Sequence, residues 1–304
     1  MGAKELPVSP LAPESFPALP PVGGVRIAGA AIGLKKNGKP DLFLAELAPG
    51  TVVAGALTRS KCSSAPVDWC RRALKKGKGR AFVVNSGNAN AFTGKAGDIT
   101  VAQTVKGAAA LFKAKPEEIY VASTGVIGQP VPPDHIPKHL PALAKSLRAE
   151  SWQEASEAIR TTDTFAKAAT RSLEIDGRRV TFNGIAKGSG MIAPDMATML
   201  CFVFTDCAIT QGLLQTLVTR TVDRSFNCIT VDSDTSTSDT VLVAATGAAG
   251  HKKIRAATEK NYKLFAAALE ALMYELAQRR VSAGERGPTG LTIARAGAGA
   301  ANAD

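Results

Sequence analysis

The sequence predicts an α/β fold from three observations. Short apolar runs with strand character alternate with amphipathic stretches of helical period along the chain. Leu214, Leu217, Val218 and Thr221 share one helical face, and Phe265, Leu269, Leu272 and Leu276 recur at the same spacing, as core-facing stripes do. A chain of 304 residues with 45% hydrophobic content can bury a substantial core in one large or two ordinary domains.

Taken in order, residues 1–24 are proline-rich, lack the apolar stretch of an export signal, and form a separate N-terminal segment. Residues 81–85 read as a strand, followed at 85–90 by a polar turn whose side chains can bond their own backbone or a ligand. A helix over 101–113 leads to a strand at 119–122, and a helical stretch begins at Trp152 and continues to Arg160 and beyond. Residues 199–205 read as a buried strand, 213–224 as a helix, 241–245 as a strand and 265–276 as an alanine-rich helix. The Ala/Gly tail at 294–304 is predicted not to pack.

Composition narrows the function. The net charge of +11 raises nucleic acid as a partner, but the basic runs at 71–78 and 251–255 are short and carry little aromatic interleaving. Solvated surface charge is the better reading, with steering of anionic substrates, and no nucleic-acid partner is expected. Five cysteines without metal spacing, an odd count, predict reduced thiols in a cytoplasmic protein. No run of eighteen apolar residues occurs, so membrane insertion is not expected. His135, His139 and His251 are the three histidines, too far from any motif to build a Ser-His-Asp triad or a histidine-ligated zinc site. The hydroxyl- and carboxylate-rich run 231–240 lacks the glycine and terminal glutamate of a calcium loop, so no metal is expected.

The run 187–200 reads Lys-Gly-Ser-Gly-Met-Ile-Ala-Pro-Asp-Met-Ala-Thr-Met-Leu. A glycine-rich turn entering a buried strand is the plain reading of such a run. Its other reading is self-cleavage. A threonine hydroxyl is a weak nucleophile unless a base takes its proton, and an α-amine, titrating near about 7.7–8.0, is a tethered base. Thr198 could generate that amine by attacking the carbonyl of Ala197, whose small side chain leaves room. Gly188 and Gly190 permit unusual backbone angles, and Pro194 restricts the approach. The absence of a nearby histidine favours an amine as the base.

This run resembles the processing motif of the ornithine acetyltransferase family, also called glutamate N-acetyltransferase. Further resemblance lies in Asn85-Ser86-Gly87-Asn88-Ala89-Asn90, Ala122-Ser123-Thr124-Gly125-Val126-Ile127-Gly128, Thr161-Thr162-Asp163-Thr164 and the run 231–240, in that order. The resemblance implies a two-lobed, layered fold of mixed sheet and helices, cut between Ala197 and Thr198 into an α chain (1–197) and a β chain (198–304) that pair into a heterotetramer of two of each. It implies Thr198 as nucleophile and Thr124 with Gly125 as the oxyanion hole, where one lost donor costs about 2.7–4 kcal/mol. Lys187 would meet the substrate carboxylate, its ammonium also favouring a neutral Thr198 amine. Thr161 would contact substrate, with Thr162 as the adjacent candidate. The reaction implied carries acetyl from N-acetylornithine to glutamate in arginine biosynthesis without a cofactor, acetyl-CoA being a further acetyl donor in some relatives.

The resemblance divides the chain into an N-terminal lobe (25–180), a second lobe (181–278) and a divergent tail (279–304). In that tail the family's Asp-Gly-Glu-Gly-Ala-Thr segment is replaced by Ala283-Gly284-Glu285-Arg286-Gly287, so Glu285 is the weakest match to a substrate-binding residue. The expected origin is truncation or a frameshift. Two alternatives stay open: an N-terminal-nucleophile amidase or peptidase, and an inactive or partner-binding remnant.

Overall fold

The computed structural model describes residues 8–188, 199–228 and 236–282. Within them, two sheets stack face to face and helices cover both outer faces. The first sheet contains β1 (Val25–Ala30), β2 (Leu42–Leu47), β4 (Ala81–Asn88) and β5 (Ile119–Val126), in the order β1-β2-β4-β5, with only the β4/β5 pair parallel. The second contains β3 (Val52–Leu57), β6 (Lys167–Ile175), β7 (Arg178–Lys187), β8 (Leu200–Thr205) and β9 (Thr240–Ala245), in the order β3-β9-β8-β7-β6, with only β8/β9 parallel.

Strand alternation explains the layering. On β8, Leu200, Phe202 and Phe204 face the first sheet, while Cys201 and Val203 face outward; on β4, Phe82 and Val84 face inward and Ala81 and Val83 outward. Because both faces are covered, these strands read as continuous apolar runs rather than alternating ones. Phe43, Phe82, Phe202 and Phe204 interlock between the sheets, with Phe82 and Phe204 ring centroids 5.5 Å apart. Each such burial contributes about 1.5–3 kcal/mol relative to exposure.

The outer face of the second sheet is covered by α5 (Gln211–Asp223) and α6 (Lys260–Ser282), and that of the first by α2 (Gly94–Leu111) and α3 (His135–Lys145). Helix α1 (Ala65–Ala73) lies along β5, and α4 (Trp152–Ile159) packs Trp152, Ala155 and Ile159 into the core between the sheets. Thus the layered α/β fold expected from the sequence is present. No helix among the described residues is long and apolar enough to cross a membrane.

Four local expectations differ. The helix expected to continue through Arg160 ends at Ile159, because Arg160 adopts extended backbone with ψ of 150°. Residues 85–88 continue strand β4 rather than starting a turn, because their polar side chains find partners inside the protein. Helix α2 begins at Gly94, ahead of the predicted 101; its first turn is largely exposed and so lacks an apolar signal. Residue 180 lies inside β7, and β3 joins the second sheet through β9, so the division at 180 coincides with no gap between layers.

Candidate active site

Strand register gathers the motif residues along one edge of the second sheet. Lys167 pairs with Ala186, Lys187 with Leu200, Leu200 with Thr240, and Thr240 with Leu57. All five strands of the second sheet therefore present an end to the same place. Segment 189–198, which carries Ala197 and Thr198, leaves β7 and enters β8 there; both residues lie outside the described residues, as does Glu285.

The described ends of that segment are held by carboxylates. Gly188 donates its N–H to Asp163 Oδ1 at 2.7 Å, and Met199 donates its N–H to Asp239 Oδ1 at 2.7 Å. Asp163 also accepts from Thr161 N–H at 3.3 Å and pairs with Lys167. Burial acts to raise the Asp163 carboxyl, but Lys167, Lys187 and the Gly188 N–H outweigh it and hold the group well below the usual carboxylate range. Asp239 goes the other way: burial pushes it up to about 7, against the Met199 N–H and the charges of Arg280 and Lys187.

Lys187 is 1% exposed and donates from Nζ to Thr161 Oγ1 at 3.0 Å. It is not the solvated surface lysine that its residue type most often is. Burial lowers its ammonium to about 8, with Asp163 opposing the fall. Thr161, the first of the two adjacent threonines, is thus bonded to Lys187.

Thr124 and Gly125 stand near the end of β5. Thr124 is buried, whereas Gly125 is exposed at φ +129°, where a Cβ would lie 2.5 Å from the Gly87 carbonyl carbon. Only glycine fits. Opposite, Asn88 pairs with both Thr124 and Val126, a bulge in the β4/β5 ladder. Bridges tie this region to the other. Ala65 N–H donates to Asn90 O at 3.3 Å, Ser64 N–H to Thr237 O at 2.9 Å and Thr58 N–H to Asp239 O at 3.0 Å. Ser86 Oγ donates to Ala158 O at 2.6 Å, close before Thr161 in the chain.

A model of the ArgJ family matches residues 26–303. The chain belongs to the ArgJ family. The arginine biosynthesis bifunctional protein ArgJ of Bartonella henselae is 50% identical over 280 residues, covering 92% of this chain and 68% of that protein. Its Gluconobacter oxydans counterpart is 47% identical over 296 residues, 97% of this chain and 70% of that protein. The crystal structure of arginine biosynthesis bifunctional protein ArgJ from Bacillus halodurans matches with a TM-score of 0.53 at 33% identity, over 59% of this chain and 92% of that one. An L-aminopeptidase D-Ala-esterase/amidase from Ochrobactrum anthropi, described as a new variant among the Ntn hydrolase fold, matches with a TM-score of 0.53 at 13% identity, over 90% of this chain and 89% of that one. That likeness is one of fold.

In this ArgJ-family chain, four buried charged residues that the sequence reading did not single out surround Lys187: Asp163, Lys167, Asp239 and Arg280. Asp163 lies in the Thr161-Thr162-Asp163-Thr164 motif and Asp239 in the run 231–240. Arg280 had a signal too, since it continues the apolar stripe of α6 one helical turn beyond Leu276. Lys167 had none. His135 stands in α3 with Nε2 3.0 Å from Ile32 O, and His251 accepts Ala208 N–H at 3.0 Å; both are occupied by backbone groups away from this edge. Among the described residues no group of three or more His, Cys, Asp or Glu could hold a metal ion.

Proposed function

We propose that the chain carries acetyl from N-acetylornithine to glutamate through an acetyl ester on Thr198, after cutting itself between Ala197 and Thr198. The observation that carries this reading is the buried Lys187–Thr161 pair, set immediately before the segment that contains Thr198. A buried ammonium beside a hydroxyl suits the carboxylate of an amino-acid substrate, because removal from water strengthens a charge-assisted hydrogen bond. Membership of the ArgJ family supports the same assignment.

In self-cleavage, Thr198 Oγ1 attacks the Ala197 carbonyl carbon, the C–N bond breaks, and the hydroxyl proton passes to the new amine. Water hydrolyses the ester, leaving a carboxylate on Ala197 and a free hydroxyl and α-amine on Thr198. In turnover that amine takes the hydroxyl proton as Oγ1 attacks the acetyl carbonyl. The intermediate collapses, ornithine leaves with the proton, and the glutamate amine then takes the acetyl group. Thr124 and Gly125 would hold the oxyanion in both reactions, and Glu285 would complete the substrate contacts. No cofactor is required; acetyl-CoA would enter as an alternative acetyl donor. The α and β chains would stay together and pair as a heterotetramer.

Denaturing mass spectrometry of the purified chain tests the cleavage: two fragments meeting at Ala197–Thr198 are expected, and an intact 31.5 kDa species removes it. Ornithine release from N-acetylornithine is then measured with and without glutamate. Dependence on glutamate is expected, and release to water alone would replace transfer by amidase activity.

A further inference from the structure

Behind the Thr124–Gly125 segment, on the outer face of the first sheet, lies a buried polar pair. Asn85 on β4 stands directly opposite Ser123 on β5, and both are buried, at 4% and 6% exposure. Ser123 Oγ donates to Asn85 Oδ1 at 2.6 Å, which orients the amide. Asn85 Nδ2 then donates to Asn88 O at 2.9 Å. One side chain therefore joins the residue before Thr124 to the carbonyl of the bulged residue opposite Thr124 and Val126. The network continues as Asn88 Nδ2 donates to Gln129 O at 2.7 Å and Asn90 N–H to Asn88 Oδ1 at 2.7 Å.

We propose that Asn85 is a positioning residue for the oxyanion pair, setting the β4/β5 bulge that fixes Thr124 and the left-handed backbone of Gly125. This rests on the reading of Thr124 and Gly125 as the oxyanion hole. From its place among Thr100, Thr104 and Val121, the Asn85 amide faces α2 rather than the opposite sheet, so it acts through the strand rather than on substrate. An apolar pair of similar volume would satisfy stability there as well, since replacing both partners of a buried hydrogen bond is often near neutral. What an apolar pair cannot do is hold the Asn88 carbonyl. Donor placement matters in the transition state and little in the ground state, so loosening it lowers kcat rather than raising KM.

The test uses the full chain with Asn85→Asp, which keeps the acceptor for Ser123 and loses the donor to Asn88. Self-cleavage and acetyl transfer are both expected to slow about tenfold to hundredfold, with KM for N-acetylornithine within about twofold. In a Thr124→Ala background the same substitution is expected to add much less, because the two act as one unit. Unchanged kcat with a lowered melting temperature, or full additivity with Thr124→Ala, overturns the proposal. Should Asn85→Asp fail to fold, Ser123→Ala removes only the orienting bond, and an unchanged kcat there overturns it equally. Thr124→Ala with normal rates removes the oxyanion reading and this inference with it, whereas a slow Thr124→Ala beside a normal Asn85→Asp removes this inference alone.

Discussion

Met199 gives its backbone N–H to the buried carboxylate of Asp239 at 2.7 Å, while Thr240, the next residue along, gives its own N–H to Met199 O at 2.9 Å. Both backbone groups of Met199, at the start of β8, are thus held by two consecutive residues at the start of β9. The carboxyl of Asp239 is held near 7 by burial, against an unfolded value of 3.8. In the window from about 4 to 7 the folded state keeps a proton that the unfolded state has lost, so this group withdraws stability as pH rises. Asp239→Asn does not titrate. Its stability relative to the native chain is therefore expected to improve from pH 4.5 to pH 7.5, as read from urea midpoints. A difference that is flat or runs the other way counts against a raised Asp239.

Lys187 yields a prediction on substrate affinity rather than stability. Its ammonium, lowered to about 8 by burial, loses its proton over the range in which a surface lysine stays charged. If it meets the substrate carboxylate, KM for glutamate rises as pH passes 8. Lys187→Met is expected to raise that KM about tenfold to hundredfold at pH 7, as befits a charge-assisted hydrogen bond of about 1.5–3 kcal/mol, and to leave it flat with pH. A KM–pH profile that is the same in both proteins would assign Lys187 elsewhere.

How far such residues could be read from sequence depends on how local their signal is. β8 and β9 were legible because burial on both faces makes them uninterrupted apolar runs, and α5 because Leu214, Leu217 and Val218 share a face. Thr161 and Lys187 were legible only as motif members; that they touch depends on where the chain between α4 and β6 lies against the end of β7, which no local pattern encodes. Asn85 carried the opposite difficulty. An asparagine after an apolar run looks like a turn, and only the partner strand, with Ser123 facing it, shows why it continues the ladder. Long-range pairing supplies the information in both cases.

Thiol accessibility offers a check of the layering. Cys62 and Cys228 are exposed, whereas Cys70, Cys201 and Cys207 are buried. Burial pushes the Cys70 thiol up to about 12 and raises Cys201 and Cys207 as well, so none is a useful thiolate at neutral pH. Titration of the native protein with a disulfide reagent at pH 8 is expected to find two fast thiols, and the other three only after denaturation. Rapid modification of Cys201, which faces away from the first sheet, would contradict the cover of α5 and α6 over the second sheet.

Gly125 admits the sharpest substitution. Its φ of +129° is strained for any residue with a side chain, and an added Cβ would meet the Gly87 carbonyl carbon at 2.5 Å, a backbone atom that cannot swing aside. Gly125→Ala must therefore push β5 away from the β4 bulge at the point where the oxyanion would sit. A strained backbone position costs about 1–3 kcal/mol, and a displaced donor about 2.7–4 kcal/mol of barrier. The variant is expected to melt earlier and to turn over at least about a hundredfold more slowly, whereas Gly128→Ala, which meets nothing within 4 Å at its own positive φ of 76°, is expected to share only the stability loss. Differential scanning calorimetry and initial-rate kinetics on both variants separate the two effects. Equal loss of turnover in the two would mean that strain alone, and not the close approach of β4 and β5, governs the site.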